Sequence, residues 1–231
     1  MFVDVEHFIQ ELQRLKNPER ALADQRYHKS SREHWGIPVP ECEKITRGLC
    51  KDLEDKDLLL LARSLWETNQ FDLMVCAAKI LNLKRLKPSP ALWNTILFFL
   101  KQVDGWALED HLAQAAGKCI LADESLLDVL EKWTKHPNFW MRRAALVYTL
   151  PYAKPSRNPE RMLLWAGVYA KDPEWFIQKA IGWWLRDLGE HNPERVAAFL
   201  KVHWKDLQSV ARKEATRKLS PEWQQNIKQK F

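Results

Sequence analysis

Two segments of this chain are near copies of one another. Lys135–Ala145 reads K-H-P-N-F-W-M-R-R-A-A and Lys171–Ile181 reads K-D-P-E-W-F-I-Q-K-A-I, an offset of 36 residues. Each gives Lys, any residue, Pro, any residue, two aromatics, an aliphatic, Arg or Gln, Arg or Lys, then Ala. A repeat of this length with helical patterning cannot bury its own apolar face, so neighbouring copies must stack as helix pairs. Leu207–Ala215 continues the series, with Arg212-Lys213 falling 34 residues after Gln178-Lys179. Asp72–Ala78 reads as a degenerate copy without the cationic pair.

The rest of the chain agrees with this reading. Apolar residues recur at spacings of three and four, strand-like alternation is hard to find, and only 7 of 231 residues are Gly. Val3–Leu15 predicts an amphipathic helix, and Asn17-Pro18 restarts one with Asn17 as cap. Trp35-Gly36-Ile37-Pro38-Val39-Pro40-Glu41 is a turn, with Pro40 opening the next helix. Helices are expected over 42–51, 56–68, 71–83 and 90–101. A further helix starts near Gly105 or Trp106, with Asp104 able to cap it. Others follow over 125–135, 139–150, 159–171, 175–188, 193–204 and 207–219, with a short last piece from Pro221. Without low-complexity stretches or long linkers, 1–231 is expected to be one all-α domain. Its architecture is an α-solenoid of HEAT-like antiparallel helix pairs, a curved superhelix with a concave basic groove.

Charge narrows the class of partner. The chain carries a formal +6, and from His191 to Phe231 nine Lys and Arg face four Asp and Glu. That excess suits an acidic partner such as nucleic acid, and equally suits a solvated basic face. The slot Arg142-Arg143, Gln178-Lys179 and Arg212-Lys213 recurs along the repeats, so these cations are expected to form a ladder for a phosphate backbone. Cys42, Cys50, Cys76 and Cys119 form no CxxC pair and have no His cluster, which argues for buried free thiols in a reducing cytoplasm. The N-terminus does not read as a signal peptide, and no apolar run reaches membrane-spanning length.

The chain has no GxSxG, Walker, HExxH or GxGxxG signature. Any chemistry must therefore come from carboxylate, aromatic and cationic groups, with no metal and no cofactor. Trp106 and Asp110 are four residues apart and share a helix face. A carboxylate beside an aromatic ring attracts a cation through Coulomb and quadrupole terms together. The structural alternative is an Asp stabilising a helix N-terminus beside a core Trp. Trp183 and Trp184 point about 100° apart on a helix, so at most one faces a groove while the other fills the core; the structural alternative is that both are core. Gly182 before them allows a backbone or ligand to approach closely. Arg143, among alanines, is expected to project from one side, for a phosphate or for a surface ion pair. Tyr27, His28 and Lys29 can bind phosphate, or form an ordinary polar loop.

These residues resemble the AlkD-like DNA alkylation repair glycosylases, a family of HEAT-like helical repeats. The resemblance covers most of the chain. It is carried by Arg26-Tyr27, Trp35–Glu41, Trp106 to Asp110, Trp140 to Ala145, Ser209 to Ala215 and, most specifically, F-I-Q-K-A-I-G-W over Phe176–Trp183. It implies an active cleft formed by Trp106, Asp110, Arg143 and Trp183, with Tyr27 lining it. Arg143 would hold a phosphate, and the two tryptophans would pack on sugar and backbone. It further implies excision of cationic N3- and N7-alkylpurines from double-stranded DNA by hydrolysis, without a base-flipping pocket and without lyase chemistry. Tyr27, His28, Lys29, Arg142, Lys179, Arg212 and Lys213 would contact DNA. One departure, Val103-Asp104-Gly105 before the tryptophan, bears on cleft shape and lesion range.

The expected protein is thus a monofunctional glycosylase, monomeric and cytoplasmic in a bacterium. The runner-up is a non-catalytic helical-repeat protein binding branched or distorted DNA. Asp110 argues against it, since a pure phosphate binder gains nothing from a carboxylate in its groove. A protein–protein scaffold is a third reading, and it leaves the C-terminal charge unexplained.

Overall fold

The computed structural model describes residues 4–228. Among these residues there are fourteen α-helices, one 3-10 turn and no strand. The chain divides into two compact units, Met1–Ala122 and Asp123–Phe231. Three residues, 123–125, separate the last helix of the first unit from the first helix of the second.

The first unit holds α1 (Val5–Gln13), α2 (Pro18–His28), α3 (Val39–Leu49), α4 (Asp55–Glu67), α5 (Phe71–Leu81), α6 (Pro90–Leu100) and α7 (Trp106–Ala122). Val3, where the sequence places the start of α1, lies outside the described residues. Helices α3, α5 and α7 pack side by side in one layer, and α1, α4 and α6 in the other. Local chemistry sets the helix starts. The Asn17 side chain accepts from Arg20 N at 3.0 Å, with Pro18 in the first turn where a missing N–H costs nothing. Gln70, rather than Asn69, caps α5 by accepting from Leu73 N at 2.8 Å, while Asn69 takes the left-handed φ of 56° that ends α4.

The Trp35–Glu41 turn is tied to α5 by a buried carboxylate. Asp72 accepts from Trp35 N at 2.7 Å, Ile37 N at 2.9 Å and Gln70 Nε2 at 3.0 Å. Charge-assisted bonds of this kind are about twice as strong as neutral ones, which offsets the cost of burying the group. Gly36 sits between them at φ 76°, and a Cβ there would lie 2.4 Å from Asn17 O. The position therefore needs glycine twice, for its backbone angle and for the contact with α2.

The second unit holds α8 (Leu126–Trp133), α9 (Phe139–Val147), the 3-10 turn Leu150–Ala153, α10 (Glu160–Val168), α11 (Trp175–Gly189), α12 (Pro193–His203), α13 (Ser209–Thr216) and α14 (Pro221–Lys228). Helices α9, α11 and α13 form one layer, α10 and α12 pair behind it, and α14 packs on α12. The repeat read from sequence is this stacking. Trp140 and Phe176, its equivalents 36 residues apart, touch with ring centroids 5.1 Å apart. Between α11 and α13 the approach is closest at Gly182, where a Cβ would fall 2.7 Å from Glu214 Cβ and 2.9 Å from Ala211 O. The glycine thus admits a neighbouring backbone. Trp184 fills the core, fully buried, and its indole N–H donates to Thr149 O at 3.2 Å.

All four cysteines are free and buried. Burial pushes the Cys50 thiol up to about 12, so it stays protonated and unreactive at neutral pH. No described helix is long and apolar enough to cross a membrane.

Candidate active site

In the first unit the site is built from the bottom of α7 upward. Trp106 is the first residue of α7 and Asp110 lies one turn on, both half-buried. The helix dipole favours a carboxylate in the first turn, where Glu109 lies. Glu109, beside Asp110, is fully buried, a second carboxylate on α7 that sequence reasoning did not single out.

Trp106 is held by aromatic edges. Tyr27 meets it at 5.3 Å with planes 89° apart, and His28 at 5.4 Å and 73°. Such edge-to-face pairs contribute about 0.5–1.5 kcal/mol beyond burial. Behind them a stack of rings continues. Phe71 lies 4.8 Å from His28 and 4.0 Å from His34, and the two imidazoles share a hydrogen bond of 3.2 Å from His28 Nδ1 to His34 Nε2. Burial, then the neighbouring His34, lowers the His28 pKa. At neutral pH the ring is therefore uncharged and packs as an aromatic body. Tyr27 is 69% exposed, so its ring is available to a ligand while its edge supports Trp106. Lys29 follows at φ 53°, closing α2 with an exposed side chain.

The loop that delivers Trp106 is clamped by Arg32, which the sequence analysis did not identify. Its guanidinium pairs with Asp104 and donates to Gln102 O at 2.9 Å and Asn69 Oδ1 at 2.9 Å. Asp104, expected to cap α7, instead receives Arg32. The only hint in sequence was an isolated acid two residues before Trp106, with nothing to name its partner 72 positions away.

In the second unit the cationic slot divides in two. Its first position turns inward in each repeat. Arg142 donates to His136 O at 3.0 Å and Pro137 O at 3.1 Å and pairs with Asp172 at 3.1 Å. Gln178 donates to Ala170 O at 3.0 Å and Asp172 O at 2.9 Å, and accepts from Gln208 N at 2.9 Å. Arg212 donates to Trp204 O at 3.3 Å and lies 5.3 Å from the Trp204 ring. All three satisfy carbonyls left open where the preceding helix ends. The ladder expected from sequence is therefore narrower, since Arg142 and Arg212 serve the interhelical turns.

The second position is more varied. Lys213 is exposed. Lys179 pairs with Glu214, which also receives Arg186. Burial raises the Glu214 pKa and these two cations lower it, leaving it below the ordinary carboxylate range. Lys179 keeps 36% of its side chain exposed. Trp183, one turn further on the same face of α11, is half-buried. Arg143 differs from the expected projecting arginine. It is 2% exposed, with its guanidinium carbon 6.0 Å from the Trp140 ring.

Stacked helix pairs in each unit define a helical-repeat protein. The particular family follows from comparison. The family model described as DNA alkylation repair enzyme matches residues 8–219, and the chain belongs to that family. Among solved structures, a predicted DNA alkylation repair enzyme from Enterococcus faecalis is similar at 25% identity. Its TM-score is 0.76, with 89% of this chain and 97% of that one covered. AlkD2 from Streptococcus mutans shares the fold at 17% identity and TM-score 0.59, covering 87% of this chain and 99% of its own. The smu.31 protein from Streptococcus mutans UA159 has the same identity and TM-score, with 79% and 93% covered. Comparison with curated proteins gives no match.

Proposed function

We propose that this protein is a monofunctional DNA glycosylase that removes cationic N3- and N7-alkylpurines from duplex DNA, acting as one functional domain over 1–231. The observation that carries the reading is Asp110 one turn after Trp106 on α7, the Trp106 ring being held on edge by Tyr27 and His28.

Alkylation at N3 or N7 makes the purine a cation, so the base leaves neutral, taking the electron pair of the C1′–N bond. Positive charge then grows on the deoxyribose, as in the oxocarbenium-like transition states of glycoside hydrolysis. Asp110 stabilises that charge and orients a water whose oxygen bonds to C1′, with the proton released to solvent. Trp106 and Trp183 pack on sugar and backbone and exclude bulk water. The reaction needs no metal or cofactor. Selection follows the charge and lability of the lesion, so no pocket shaped to a flipped base is required, in contrast to most enzymes acting on bases.

The burial of Arg143 suits a fixed positive charge supported by Trp140 better than an open phosphate grip. Lys29, Lys179 and Lys213 keep the exposure that phosphate contact needs. The protein acts as a monomer in the bacterial cytoplasm.

Incubation with duplex DNA containing N7-methylguanine tests the proposal. Release of the free base above the no-enzyme rate, leaving an abasic site without strand cleavage, is the expected result. Salt-sensitive DNA binding with no base release from this or an N3-methyladenine substrate would instead support a non-catalytic binder of branched or distorted DNA.

A further inference from the structure

A second site in the first unit stands apart from Asp110. The C-terminal halves of α3 and α5, the basic connector after α5 and one residue of α7 enclose a cavity of about 520 Å³. This is within the ~300–1,000 Å³ of small-molecule sites. Five cations line it, Arg47, Lys51, Lys79, Lys84 and Arg85, against one carboxylate, Glu43. Glu43 lies 3.5 Å from Lys79 and 3.6 Å from Arg47, Asp55 lies 3.8 Å from Arg85 and Asp52 3.9 Å from Lys51, so the carboxylates compensate part of the charge and leave the cations in excess.

Two polar groups in the lining are left without partners. The Thr46 hydroxyl is buried and makes no hydrogen bond, and neither does Asn82 Oδ1. Asn82 is held in place from its other end, donating through Nδ2 to His111 O at 2.7 Å. A buried polar atom without a partner is destabilising, and two of them beside a basic cavity point to a ligand that relieves the cost. The cations call for a phosphate. An acceptor such as Asn82 Oδ1 calls for a donor on the same ligand, an amino or hydroxyl group. Gln114, the α7 residue in the lining, lies one turn beyond Asp110.

We infer that this cavity binds a nucleoside monophosphate unit, with the phosphate among Lys79, Lys84 and Arg85 and a donor group of the nucleoside at Asn82. The unit is a free mononucleotide or one nucleotide of a DNA strand. Calorimetric titration of the intact protein with deoxyadenosine monophosphate, deoxyadenosine and inorganic phosphate tests the chemistry, and anisotropy with unmodified duplex DNA tests the source. The nucleotide is expected to bind at least tenfold more tightly than either part alone. Lys79→Gln with Lys84→Gln should weaken it by at least tenfold, and Thr46→Val or Asn82→Asp should weaken it severalfold, with unchanged circular dichroism. A parallel loss of DNA affinity in the double variant assigns the site to a DNA nucleotide, and unchanged DNA affinity assigns it to a free one. Absence of any loss, for nucleotide and DNA alike, in the folded double variant overturns the inference. Release of N7-methylguanine reports on Asp110 separately, so failure of either reading leaves the other intact.

Discussion

The ring of Tyr27 meets Trp106 edge-on, centroids 5.3 Å apart and planes at 89°, although 78 residues separate them in sequence. The contact links the exposed end of α2 to the first turn of α7, one turn before Asp110. Because Tyr27 is largely exposed, its removal should cost no more stability than the roughly 0.5–1.5 kcal/mol of that edge-to-face contact. Tyr27→Ala should lower the single-turnover rate of base release by about 2–10-fold, the equivalent of one aromatic pair, and Tyr27→Phe should retain most of it. Rate and melting temperature, measured together, check the separation.

Asp72→Asn should destabilise the protein by about 1–3 kcal/mol. The carboxylate accepts from Trp35 N and Ile37 N at once, whereas an amide must turn its NH2 toward one of them. Urea unfolding should show a lower midpoint with an unchanged slope.

Gly182→Ala should cost about 1–3 kcal/mol from overpacking. The new methyl would press on the backbone of Ala211, which cannot yield as a flexible side chain would. Thermal unfolding of the variant measures this, and Gly48→Ala, where a Cβ meets nothing within 4 Å, is the control.

Burial, with Lys79 and His28 nearby, lowers the His111 pKa to about 4. Its unfolded value is near 6.5, so the unfolded chain binds a proton that the folded chain refuses. Stability from this residue is complete above about pH 6.5 and falls as pH drops toward 4, with a slope of up to about 1.4 kcal/mol per pH unit. Denaturant titrations at pH 7 and pH 5 should differ accordingly, and the difference should shrink in His111→Asn.

The helical repeat was legible because its physics is local and periodic. Apolar spacing, the Pro-bearing starts and the 36-residue offset marked the helices to within a few residues. Helix angle alone said that at most one of Trp183 and Trp184 could face a groove, without saying which, and the structure buries Trp184 in the core. What sequence could not show were partners chosen in three dimensions. Arg142 looked like a free phosphate ligand until Asp172 and two carbonyls met it. Arg32 had no visible role until Asp104 and Gln102 O converged on it. Arg143 among alanines suggested projection, yet small neighbours also let a long side chain lie buried along Trp140.

The proposed chemistry depends on the charge of Asp110. Single-turnover release of N7-methylguanine should be compared between wild type and Asp110→Asn, which keeps shape and removes the charge. A fall on the order of 10²–10³, with DNA affinity unchanged or slightly higher, is the predicted result. Equal rates in the two proteins, both well above the uncatalysed background, would contradict it and move the catalytic role away from Asp110.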